Sequence, residues 1–130
     1  MSTIFTKIIR GEIPCAKLFE NEHWLAFLDV RPMARGHALL IPKLETDYIF
    51  DLDDERLSEM LRVARPIARA IESVIPCRRI GLMVAGLEVS HCHLHLVPIQ
   101  TVGDLNFANA APADPQSLQN LAAQIRSALA

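Results

Sequence analysis

The chain has 130 residues, a formal net charge of −2 and 51% hydrophobic side chains, which is enough for one domain with its own core. That charge, with Arg78-Arg79 as the only adjacent basic pair, excludes an electrostatic grip on nucleic acid or on an anionic membrane. No uncharged apolar run approaches a membrane span. Lys7, Arg10, Glu12 and Lys17 break up the N-terminus, so no signal peptide is expected.

From the N-terminus, Ile4, Phe5, Ile8 and Ile9 recur at helical spacing. Ser2 or Thr3 is placed to cap this helix, Gly11 to end it and Pro14 to enforce the stop. Residues 17–20 read as a short strand, Glu20-Asn21-Glu22 as a tight turn, and WLAFLDV (24–30) as a second strand. A loop, RPMARG (31–36), leads to a third, mostly buried strand, HALLIP (37–42). Residues 51–75 form a long amphipathic helix capped by Asp53 or Asp54. Pro66 inside it is expected to kink or split it. IGLMVAG (80–86) is a strand, a second one runs from Val89 to Pro98, 101–115 is loop-like, and 116–129 is helical again. The class is α+β: an antiparallel five-stranded sheet with the helices on one face and an open edge that invites dimerisation.

Three cysteines, Cys15, Cys77 and Cys92, form neither an even set nor a CxxC pair. Reduced thiols in a cytoplasmic protein are expected.

The stretch VSHCHLHLVP (89–98) holds three of the five histidines. On a strand, His91, His93 and His95 share one face, and Cys92, Leu94 and Leu96 share the other, as core. A half-solvated strand that happens to be rich in His is the plain alternative. A row of imidazoles suits metal binding or acid-base and nucleophilic work near neutral pH. For a metal, two such His need further ligands. His37 is one candidate, but no carboxylate follows the His strand closely. A zinc deaminase is excluded, because Pro76-Cys77-Arg78-Arg79 lacks the second cysteine. For phosphoryl chemistry, a neutral imidazole attacks phosphorus, a neighbour fixes its tautomer, and donors hold the phosphate oxygens. Gly86 would let backbone N–H groups approach a phosphate.

HCHLHLVP resembles the motif of the histidine triad (HIT) family. TIFTKIIRGEIP and FENEHWLAFLDVRPMARGHALLIPK stand in the family's order and spacing, so that the resemblance covers most of residues 3–98. The branch it resembles is the Hint-like one, and AGLEV before the triad, with GDLNFAN after it, is similar to a bacterial subgroup. The resemblance implies a single HIT domain over 1–130 (core 3–98, tail and helix 99–130). It also implies a homodimer with a continuous sheet, and a substrate of the form nucleoside 5′-phosphoryl–X, a purine nucleotide such as AMP–X. It implies His93 as nucleophile, His95 on the phosphate and leaving-group side, His91 as orienting residue and His37 as the family's fourth histidine. Phe5, Ile8, Phe27, Leu28 and Val30 match the base pocket, Asp29 the ribose carboxylate, and Gly86, Leu87, Glu88 and Val89 the phosphate loop. No cofactor or metal is expected: Thr3 and Thr6 stand where zinc-binding members carry Cys.

The chain departs from the family before the triad. Ala85 replaces an Asn, and Leu87 and Glu88 replace Gln and Ser. Glu88 is expected either to tune substrate choice or simply to face solvent. Leu105 to Asn109 are expected beside a partner's active site. The leading reading is a nucleotide hydrolase acting through a nucleotidyl-histidine. The alternatives are a nucleotide-binding module with weak or lost catalysis and a metal-binding protein.

Overall fold

Alternating apolar strands and amphipathic helices assemble into one α+β layer structure, described for residues 3–129 in a computed structural model. The helices are α1 (Ile4–Ile9), α2 (Asp54–Val74) and α3 (Pro115–Leu129); the strands are β1 (Ala16–Glu20), β2 (Trp24–Leu28), β3 (Ala38–Pro42), β4 (Arg79–Met83) and β5 (Leu94–Ile99). All pairings are antiparallel, in the order β1-β2-β3-β5-β4, so β1 and β4 are the edges. Single 3-10 turns at Ile49–Asp51, Val102–Asp104 and Phe107–Asn109 punctuate the connections.

Every residue of β2 and β3 is buried, because the period of two sends side chains into two different layers. Trp24, Ala26, Leu28, Ala38 and Leu40 face α2 and α3 in the main core, joined there by Cys92, Leu94 and Leu96. Leu25, Phe27, Leu39 and Ile41 face the other way and meet Phe5 of α1. The helices are therefore not all on one face, as the periodicity had suggested: α1 covers the opposite side. A six-residue helix with one buried aromatic is enough there, because histidines fill the rest of that layer.

The caps fall where the sequence puts them. Thr3 Oγ1 accepts from Thr6 N–H, and Asp53 accepts from Arg56 N–H; Ser2, the other residue considered for the first cap, lies outside the described residues. Pro66 does not split α2, which runs unbroken from Asp54 to Val74. Its missing N–H forfeits one bond, while Met60, Ala64, Ile67, Ala70 and Ile71 on the buried face hold both halves to the sheet. The buried indole of Trp24 donates to Glu59 Oε1 at 2.7 Å, tying α2 to β2.

The last strand starts later than its sequence suggests. The ladder begins at Leu94, so of the triad only His95 is a strand residue, and 84–93 form an irregular approach. Gly86 has φ +73°, the left-handed conformation that ends the alternation there. Cys15, Cys77 and Cys92 are all free thiols. No helix among the described residues is long and apolar enough to cross a membrane.

Candidate active site

Four buried histidines collect on the α1 side of the sheet: His37 and His91, both nearly inaccessible, with His93 and His95 close behind. The His93 and His95 rings are 4.9 Å apart and those of His37 and His95 5.1 Å, and Phe5 packs edge-on against His93 at 5.0 Å and His91 at 5.9 Å. The irregular backbone before Leu94 thus does not scatter the triad.

The hydrogen bonds fix where the protons sit. In the loop before β3, Gly36 (φ +93°) lets the chain turn back so that Met33 N–H points at His37 Nδ1, 2.9 Å away. A Cβ at Gly36 would meet Ile75 at 3.0 Å and Pro98 at 3.1 Å, so the turn is also tightly packed. An amide only donates, so His37 Nδ1 is bare and its Nε2 carries the hydrogen. His37 Nε2–H then donates to His95 Nδ1 at 2.9 Å. That leaves the His95 hydrogen on Nε2, which is buried and has no partner. His93 is set the opposite way: its Nδ1–H donates to the His91 carbonyl at 2.6 Å, leaving Nε2 as the lone-pair atom. A lone-pair nitrogen and an unpaired N–H donor therefore stand on neighbouring rings.

Electrostatics keep these roles stable. Burial pushes His37 down to about 4 and, with the charges of His37 and His93, also His95 to about 4. Burial lowers His91 as well, and raises Asp29. Asp29 follows β2; its Oδ1 accepts from Arg31 N–H at 2.9 Å and its Oδ2 lies 3.6 Å from His37 Nε2. Its side chain keeps 21% exposure.

Asp29, His37 and His95 bring ligand atoms within 4.8 Å of one another, a spacing that suits a metal ion. Their chemistry does not. Met33 N–H forces the proton of His37 onto Nε2, the atom that would have to ligate. Nor do the residues near α1 fit a structural zinc. Thr3, Thr6, Glu45 and His91 supply two hydroxyls, one carboxylate and one imidazole, where zinc takes thiolate, imidazole and carboxylate.

The remaining expected site residues fall into two groups. Phe27 lies in the α1-side layer with Phe5, and Ile8 and Val89 pack against it half-buried. Leu28 does not belong: it is buried in the main core against the helices, since successive residues of β2 point to opposite faces. Val30 is 65% exposed, just past the strand, where its carbonyl accepts from Ala113 N–H at 3.0 Å. Gly86 has open space around it, Leu87 is 93% exposed, and Glu88 is exposed too.

Sequence reasoning missed the backbone partners, Met33 N–H and the Pro42 carbonyl that faces His91 Nε2 at 2.8 Å, because backbone groups carry no residue signal. A contact within the chain also went unforeseen. Phe107 packs on His95 of its own chain at 5.4 Å, whereas the expectation concerned a partner's site. Leu105 anchors this segment on Gly81, where a Cβ would come within 3.1 Å of the Leu105 side chain.

The HIT domain family profile matches residues 10–102. The chain belongs to the HIT family. Among its relatives, "Protein hit" of Bacillus subtilis is 38% identical over 98% of this chain and 94% of that one. An adenosine 5′-monophosphoramidase of Schizosaccharomyces pombe is 40% identical over 75% of this chain and 74% of its own. A zinc-bound HIT family protein of Mycobacterium smegmatis superposes with a TM-score of 0.83 at 32% identity, covering 99% of this chain and 94% of that chain. The five-stranded sheet and the His cluster described above are thus this chain's version of the HIT fold.

Proposed function

We propose that this HIT protein is a hydrolase of nucleoside 5′-phosphoryl–X compounds, of the phosphoramidate or AMP–X type, working through a covalent nucleotidyl-His93. The observation that carries the proposal is the pairing of the bare His93 Nε2 with the unpartnered His95 Nε2–H. His93 Nε2 attacks phosphorus, the N–P bond forms and the P–X bond breaks. The His95 N–H holds a phosphoryl oxygen on which charge builds, and it does so without reorganising. Water then attacks the same phosphorus and the N–P bond breaks. Over the cycle one water supplies the hydroxyl on the monophosphate and the proton on XH. Asp29 takes the ribose hydroxyls, Phe5, Ile8 and Phe27 line the base slot, and the backbone after Gly86 approaches the phosphate. The phosphoramidase name of the yeast relative supports the substrate class.

A homodimer joined along β4, an edge strand whose Leu82 is 46% exposed, completes this reading; sedimentation at twice the chain mass is the expected result.

One observation favours a second reading, a nucleotide-binding module. Leu87 and Glu88, which stand where the family carries Gln and Ser, face solvent, so neither side chain is turned to the phosphate. Turnover of adenosine 5′-phosphoramidate to AMP separates the two. Hydrolysis that persists in chelator and disappears in His93→Ala, with AMP binding retained, supports the hydrolase. AMP binding without turnover by the unaltered protein overturns it in favour of the module.

A further inference from the structure

The N-cap of α1 and the first triad histidine share one hydroxyl. Thr3 Oγ1 accepts from Thr6 N–H at 3.1 Å and lies 3.2 Å from His91 Nδ1. On the far side of the same ring, Nε2 faces the Pro42 carbonyl at 2.8 Å, so Nε2 carries the hydrogen. The ring is fully buried and its pKa is lowered by that burial, which leaves Nδ1 a bare lone pair at neutral pH. A buried lone pair without a donor is costly, and Thr3 has a proton to give. Thr6 Oγ1, which gives its own proton to Glu45 Oε1, is the other acceptor within reach of Thr3 at 3.3 Å, but the lone pair of the fully buried His91 ring loses more by going unpaired and so has the stronger claim on the Thr3 proton.

The position of His91 matters because its carbonyl accepts the His93 Nδ1–H. No strand ladder holds residue 91, which lies before β5. Its neighbourhood is anchored by Cys92 N–H on the Thr46 carbonyl at 2.6 Å and by the two ring contacts of His91 itself.

We propose that Thr3 is a positioning residue: its hydroxyl, donating to His91 Nδ1, holds that ring and with it the carbonyl that keeps the His93 lone pair on Nε2. Thr3 thus has a task beyond capping, one that ties the first turn of the chain to the triad. Only the kinetic consequence rests on His93 being the nucleophile; the tautomers stand apart from it.

The test is nitrogen NMR of the histidines in the full chain, with kcat and KM for adenosine 5′-phosphoramidate. In the unaltered protein, His91 is expected with its hydrogen on Nε2 and His93 with its hydrogen on Nδ1. Thr3→Val removes the hydroxyl. Thr3→Gly also removes it but keeps an N-cap nearly as good, so that the fold is retained. Both variants are expected to shift the His91 Nδ1 signal, to mix the His93 tautomers, and to lower kcat about tenfold with KM within about twofold, the scale of one lost hydrogen bond. Thr3→Ser restores both readouts, and Thr6→Val leaves both unchanged. A His91 hydrogen on Nδ1 in the unaltered protein overturns the proposal. So do unmoved His91 and His93 signals in the Val and Gly variants, or signals that move while a measurable kcat does not. If the unaltered protein has no turnover, the hydrolase reading fails and the NMR result alone decides the role of Thr3.

Discussion

The two faces of the sheet are built from the same strands and do different work. Toward α2 and α3 the layer is wholly apolar, from Trp24 and Leu40 to Ile67, Ile71 and Ile125. Toward α1 it holds a handful of apolar side chains and four buried imidazoles. The first face closes through shape, with its one buried indole satisfied by Glu59. The second is a chain of hydrogen bonds in which each ring's tautomer depends on the next group, and it ends on an unpaired donor. A site is thus made by leaving one face unfinished while the other supplies the stability.

The sharpest way to break this contrast is His93→Ala. Under the proposed mechanism, turnover falls by about four orders of magnitude or more, as for other lost nucleophiles, while the melting temperature moves little. A drop of less than tenfold in a steady-state assay would place the nucleophile elsewhere.

Next in size is a pair of adjacent residues on opposite faces. Leu28→Ala opens a cavity against the helices and is expected to cost about 2–5 kcal/mol in urea unfolding, with nucleotide affinity unchanged. Phe27→Ala costs stability on a similar scale of about 3–5 kcal/mol, but weakens AMP binding as well. Equal effects of both changes on AMP affinity would erase the distinction between the faces.

Acid is expected to act through the imidazole face. His37 and His95 titrate near 4 in the folded chain and near 6.5 when unfolded. Between those values the unfolded chain binds more protons, so stability falls as pH drops from about 6.5 towards 4 and then levels off. Each ring alone accounts for roughly 3 kcal/mol, and the pair is less than additive because the two rings touch. Unfolding free energies measured from pH 7 to pH 4 in His37→Gln, which lacks one titrating ring, should show a shallower slope.

The smallest effect is reserved for the tail. Phe107 is 49% exposed and touches His95 only at the rim, so Phe107→Ala is expected to change kcat/KM by a few-fold. The direction should depend on the leaving group X, read from a series of AMP esters and amidates; a uniform change across the series would make Phe107 mere packing.

Much of this was legible in the residues. The element order, a cap among Ser2 or Thr3 and among Asp53 or Asp54, and a face for His91, His93 and His95 opposite Cys92, Leu94 and Leu96 follow from periodicity and side-chain chemistry, which are local. The resemblance to the HIT family reached the same residues by another route, with Leu28 as its misplacement: a motif gives neighbours in sequence, whereas a strand sends neighbours to opposite faces. The side of the sheet that α1 covers, the late start of β5, the unbroken passage of α2 through Pro66, and the proton positions on four rings were decided only by the assembled chain. They depend on backbone groups such as Met33 N–H and the Pro42 carbonyl, which look alike at every position of a sequence and acquire direction only when distant segments are packed together.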